Sequence, residues 1–200
     1  MSQNSANLIN QTSGEFEYYT PPLWPNLARE LMGQIDLDPA SNEIANKTIQ
    51  ATAIFTQQTD GLSQNWFGNV WMNHPFHRGE QPCPKNRDKC KKKACVKRGY
   101  HIDEPIPSNE DWINKIVSEY QNGYIKQAVM ICFCSSSETW FKPLLQYPQL
   151  FPNGRVHYHK ADGSKADNCT KGSVITYLGP DLDGFIKIFG PHGTIKIEVN

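Results

Sequence analysis

The chain has 200 residues, 38% of them hydrophobic, which is enough for one core and excludes a mostly disordered polymer. Its formal charge is zero, yet nine basic residues against two acidic ones crowd into positions 77–101, a local +7 that leaves the remainder at −7. The longest apolar run, Ala128–Cys134, is too short for a bilayer, and no basic-then-apolar leader opens the chain, so a cytoplasmic protein with no membrane partner is expected.

In chain order, residues 1–14 read as a polar tail and Glu15–Thr20 as an extended aromatic segment. Pro21-Pro22 opens a helix in which Leu23, Leu27 and Leu31 recur at helical spacing until Gly33 stops it. Ile35–Asp38 is a short strand, Ser41 is placed to cap a helix over about Asn42–Ile49, and Ala53–Phe55 is a second strand before the Asp60-Gly61 turn. Val70–Asn73 is a third strand, ended by His74-Pro75 because proline cannot continue a central ladder. The basic arm that follows shows neither helical nor strand period. Ser108 and Asp111 then form an acidic capping box for a helix with Trp112, Ile113, Ile116, Val117 and Tyr120 on one face. Ile125–Cys134 is a buried strand with Cys132 and Cys134 as small core residues, and a helix bearing Trp140 and Phe141 follows. Arg155–His159, Ser173–Leu178, Phe185–Phe189 and Thr194–Val199 read as closing strands. Strands alternating with helices predict an α/β fold: a wound sheet with an antiparallel end, one domain over 15–200, and 77–105 as an insertion.

Two segments carry chemistry. Asn73-His74-Pro75-Phe76 closes a strand. An amino group on a nucleobase is a poor nucleophile because its lone pair is delocalised into the ring. Methylating it requires two acceptors aimed at its N–H bonds and an aromatic face for the extruded base. The Asn73 amide oxygen and a carbonyl near His74 provide the acceptors, Pro75 a tight turn, and Phe76 the face. Inside the arm, Cys83, Cys90, Cys95 and His101 give the spacing C-x6-C-x4-C-x5-H, a donor set suited to structural zinc, with His77 as a rival fourth ligand. Six cysteines without a leader argue against disulfides. Arg78, Lys85, Arg87, Lys89, Lys91, Lys92, Lys93, Lys97 and Arg98 make the arm a candidate for DNA phosphates.

The chain resembles the phage-type DNA N6-adenine methyltransferase family from Glu17 to about Gly190. The resemblance rests on Glu17-Tyr18-Tyr19-Thr20-Pro21-Pro22, Ile35-Asp36-Leu37-Asp38-Pro39-Ala40-Ser41 with Asn46 after it, and Phe55-Thr56. It continues through Asp60-Gly61-Leu62-Ser63, Trp66, Val70-Trp71-Met72-Asn73, Trp140-Phe141, Gly154-Arg155-Val156, Tyr177-Leu178-Gly179 and Phe189-Gly190. The resemblance implies a Rossmann-like methyltransferase sheet, S-adenosylmethionine as cofactor, DNA as partner and methyl transfer to adenine N6, a chemistry that phages plausibly use against host restriction. It also implies that Tyr19, Thr20, Pro21, Asp38, Pro39, Ala40, Ser41 and Asp60 contact the cofactor. His74 departs from the pattern, which has Pro-Pro after the first acceptor. That departure leaves room for a catalytically weakened DNA-binding module, and the same turn can also serve cytosine N4. The zinc arm is not part of the family pattern and comes from spacing alone.

Overall fold

The computed structural model describes residues 18–160, 162–166 and 171–199. The expected tail at 1–14, Glu17 and Cys169 lie outside the described residues.

Strands β1 (Leu37–Asp38), β2 (Ala53–Ile54), β3 (Gly68–Met72), β6 (Ile125–Phe133), β7 (Gln149–Pro152), β8 (Ser173–Leu178) and β9 (Gly193–Lys196) form one seven-stranded sheet, ordered β2-β1-β3-β6-β8-β7-β9. The β2, β1, β3 and β6 strands are mutually parallel, while β8 and β9 run against their neighbours. The fold is therefore α/β and compatible with a Rossmann-like sheet. The remaining two strands, β4 (Arg78–Glu80) and β5 (Ile106–Ser108), pair with each other outside this sheet.

Side chains alternate across the sheet with the two-residue period of a strand. Trp71, Val129, Ile131, Ile175 and Tyr177 face helices α1 (Leu23–Met32) and α5 (Leu182–Phe189). Val70, Met72, Ala128, Met130 and Val174 face α4 (Asn109–Gln121) and a 3-10 turn at Thr139–Leu144. The result is three layers, and burying each large apolar side chain contributes about 1.5–3 kcal/mol. The capping box that starts α4 is present, with Ser108 and Asp111 bonding each other's backbone N–H groups.

Several expected elements differ. The cap of α2 (Glu43–Ile49) is Asn42, whose Oδ1 accepts from the N–H groups of Ile44 and Ala45, both at 2.9 Å; Ser41 is not the cap. Phe185–Phe189 is helical. Asp181 accepts the Gly184 N–H and starts α5, and Phe185 and Phe189, four apart, are both buried. Trp140 and Phe141 sit on the 3-10 turn, where Pro143 keeps the segment short. Arg155–His159 is no strand; His159 makes isolated bridges with Tyr19 and Lys165. Cys134 is exposed beyond the end of β6, so only Cys132 is a core residue. No helix among the described residues is long and apolar enough to cross a membrane.

Candidate active site and metal centre

From β1 the chain moves to β2 on one side, and the next strand, β3, lies on the other side of β1. The strand order therefore reverses between β1 and β3, and open α/β sheets bind ligands outside the carboxyl ends of their strands at such a point. There a cleft is lined by Tyr18, Tyr19, Thr20, Asp38, Ala40 and Asn42. Asn73, His74, Pro75, Phe76 and Phe133 close its other wall.

Each wall has an identifiable support. Residues 18–20 are pinned over the sheet by the paired Tyr19–His159 backbone bonds of 2.8 and 2.9 Å. This brings the Thr20 hydroxyl to the end of β3, where it accepts the Asn73 Nδ2–H at 2.9 Å. The Asn73 Oδ1 is consequently left buried with no hydrogen-bond partner, and the Trp71 indole N–H of the cleft is in the same state. Asp38, at the end of β1, is buried, with the Ala40 N–H at 3.2 Å on its carboxylate. Burial pushes its carboxyl up to about 7, against the opposing pull of Ala40 and the nearby Ser41 hydroxyl. No cation among the described residues pairs with it.

His74 is 1% exposed. Its Nε2 is 3.2 Å from Asn109 Oδ1, and because an amide oxygen only accepts, Nε2 carries the hydrogen. The ring stacks on Trp112 of α4 at 6.3 Å and meets the Phe76 edge-on at 5.1 Å. Burial lowers its pKa to about 4, with Asn109 opposing, so the imidazole is neutral near pH 7. The turn before Pro75 is thus anchored to α4 through the His74 side chain. Phe76 packs against Phe133 at 4.2 Å.

Of the residues expected at the cofactor, Tyr19, Thr20, Asp38 and Ala40 line the cleft, whereas Pro21, Pro39, Ser41 and Asp60 do not. Asp60 is exposed in a left-handed turn (φ 51°) and accepts the Leu62 N–H. The adjoining Gly61 is required, because a Cβ there would lie 1.9 Å from the Pro39 carbonyl oxygen. Its loop thus braces the 38–41 loop from behind. Sequence reasoning missed Asn42, Phe133, Asn109 and the His74 role of Trp112. The signal that could have found Phe133 is its place near the end of the apolar run 128–134, where β6 ends.

The arm, read as having no regular structure, has some. The β4–β5 ribbon, with Arg78 opposite Ser108, leads to a 3-10 turn at Arg87–Lys89 and to α3 (Lys93–Arg98). Its small core is Cys83, Cys95 and Ile102. The ligand atoms of Cys83, Cys90, Cys95 and His101 all lie within 4.8 Å of one another, so the cluster can hold a metal ion. The Cys83–Cys95 and Cys90–Cys95 sulfur separations are 3.2 and 3.8 Å. Tetrahedral zinc with its usual thiolate bonds needs about 3.8 Å. His101 Nδ1 is buried without a partner. His77, the rival, already accepts the Gly79 N–H on Nδ1 at 3.0 Å and is not in the cluster. Burial and its sulfur neighbours push the Cys95 thiol up to about 11. For Cys83 burial opposes, but the Ile102 backbone and the cluster partners draw it down to about 6.

The nine basic residues of the arm divide. Arg98 is bonded to Glu80 at 2.9 and 3.1 Å and to Cys95 Sγ at 3.3 Å. Arg87 pairs with Asp103, and Lys92 bonds the Gln81 and Pro82 carbonyls. These three brace the arm and are not presented to a phosphate. Arg78, Lys85, Lys89, Lys91, Lys93 and Lys97 are exposed. Comparison of the chain with protein-family models, curated proteins and solved structures finds no match.

Proposed function

We propose that this protein transfers a methyl group from S-adenosylmethionine to adenine N6 of a base extruded from DNA. The observation that carries the reading is Asn73: its amide is held by Thr20 through Nδ2, leaving Oδ1 buried and unpaired in the wall of the cleft. An acceptor oriented and left unsatisfied in this way suits an incoming N–H donor, because a buried polar atom without a partner costs about 1–3 kcal/mol.

The cleft fits the cofactor's chemistry. The buried Asp38 carboxyl lacks a cation and suits the ammonium of the methionine moiety, and the unpaired Trp71 N–H suits an acceptor on the ligand. S-adenosylmethionine bound there supplies an electrophilic methyl group. The chain's own residues do the rest: Asn73 Oδ1 and the backbone carbonyl at 74 accept hydrogen bonds from the two amino hydrogens and return the nitrogen lone pair to the attack direction. As the N–C bond forms, the S–C bond would break to leave a neutral thioether, and one amino proton would leave to solvent. Phe76, backed by Phe133, offers the stacking face. His74 holds the turn as a neutral anchor on Asn109, which supports a functioning turn over a weakened one. In the arm, the donor set of three thiolates and one imidazole favours Zn2+ as a structural ion, and the exposure of Arg78, Lys85, Lys89, Lys91 and Lys93 supports DNA phosphates as its partner.

The test is incubation with labelled S-adenosylmethionine and unmodified DNA, digestion to nucleosides and mass spectrometry. N6-methyladenine is the expected product. N4-methylcytosine would move the reading to the other exocyclic amine, and absence of any product despite cofactor and DNA binding would overturn it.

A further inference from the structure

We infer that the metal-holding knob at the end of the β4–β5 ribbon reads DNA sequence, with the outward face of α3 as its contact surface; the inference rests on DNA being the substrate. The two sides of α3 differ. Inward, Cys95 joins the ligand cluster and Arg98 is fixed by Glu80. Outward, Lys93 is exposed and Val96 is 82% exposed, with the partly exposed Tyr100 just beyond the Gly99 cap. An apolar side chain standing in water on a structured knob contributes nothing to the arm's small core. Lys93, about one helical turn before it, lies on the same side of α3, and Lys89 and Lys91, just ahead of the helix in sequence, are exposed.

That combination fits duplex DNA. Lysines on phosphates fix position without reading sequence, and an apolar group in the major groove distinguishes thymine by its methyl. Charge complementarity commits the occupant to a polyanion, because the arm carries +7 while the body of the chain carries −7. From Phe76 to Gln81, where the knob begins, is five residues of chain, at most about 17 Å when extended, so the knob starts beside the cleft.

The experiment is enrichment of a random-sequence 30-base-pair duplex pool (the length is a design choice, about three helical turns) by the full-length, metal-loaded protein. Wild type, Val96→Ser and Lys93→Ala are compared, with cofactor binding and metal content measured in parallel. Wild type is expected to enrich a short motif. Val96→Ser should keep its metal, cofactor affinity and overall duplex affinity within a few-fold, but lose about tenfold in discrimination at one position. Lys93→Ala should leave the motif unchanged and lower the log–log salt slope by about 0.9. Val96→Ser enriching the same motif as strongly as wild type would overturn the inference. So would a wild type that binds cofactor but no duplex, while leaving methyl transfer to another acceptor open. Motif enrichment without a methylated product would sustain the knob and overturn the methyl-transfer reading instead.

Discussion

Asp38 and His74, both buried at the cleft, are displaced from their ordinary pKa values in opposite directions. Asp38 sits near 7 when folded and at an ordinary 3.8 otherwise, so between these values the folded chain holds a proton that the unfolded chain has released. Stability from this group is present at low pH and is lost as pH rises toward 7. His74 sits near 4 when folded against an ordinary 6.5, so its contribution is present above 6.5 and is lost as pH falls toward 4. Across pH 4–6.5 the two slopes oppose, each at most about 1.4 kcal/mol per pH unit. Chemical denaturation of Asp38→Asn should therefore show stability rising with pH over this window, and His74→Gln should show it falling. Parallel slopes in the two variants would refute the assignment. Thr20→Val tests the other wall of the cleft. It removes the acceptor for Asn73 Nδ2 and should lower the methyl-transfer rate constant by about ten- to a hundredfold, or 1.4–2.7 kcal/mol. The change should fall on kcat more than on the cofactor KM, and Asn73→Ala should abolish transfer while sparing DNA binding.

At the scale of elements, legibility followed hydrophobic patterning. The β1, β3, β6 and β8 strands and α1 and α4 all present apolar residues at a strand or helix period to the sheet or its covering layers, and each was readable. The short apolar run Phe185–Phe189 carries no period long enough to separate strand from helix, and the Asp181 cap decided it. The arm was opaque for a different reason. Its α3 turns only Cys95 into a core, so no apolar stripe announces it, and what gathers the arm is a ligand cluster and the ion pairs Arg98–Glu80 and Arg87–Asp103, which carry no hydrophobic period. The metal ligands were legible by residue type and spacing; their convergence was not. The site was legible to a similar degree, since Asn73, Asp38 and Thr20 are read from local sequence, whereas Asn109 reaches His74 only through the packing of α4. Elemental analysis of purified protein should find about one equivalent of zinc, with Cys90→Ala losing it. Stripping the metal should raise amide hydrogen exchange over residues 81–105 and leave β3 and β6 protected. Loss of protection in the central sheet would show that the cluster supports the whole fold.

Over the whole molecule, charge and chemistry are separated. The sheet and its helices build the cleft, while the cationic arm leaves it between β3 and α4. The ribbon is joined by two facing pairs, Arg78–Ser108 and Glu80–Ile106, and the Asn109 N–H bonds the His77 carbonyl at 2.7 Å beneath them. Replacing residues 81–105 with a two-residue Asn-Gly turn should therefore leave a folded sheet that still binds S-adenosylmethionine, with salt-dependent DNA affinity lost. Loss of cofactor binding in that variant would place the arm within the cleft's own support. This narrow attachment has a wider consequence for descent. Whatever is suspended from it need match the rest of the chain neither in length nor in shape, only in the spacing of two strand ends. Under the proposed function, substitution in the suspended part can then change which DNA is addressed while the residues assigned to methyl transfer stay as they are, so target choice and reaction can be inherited independently.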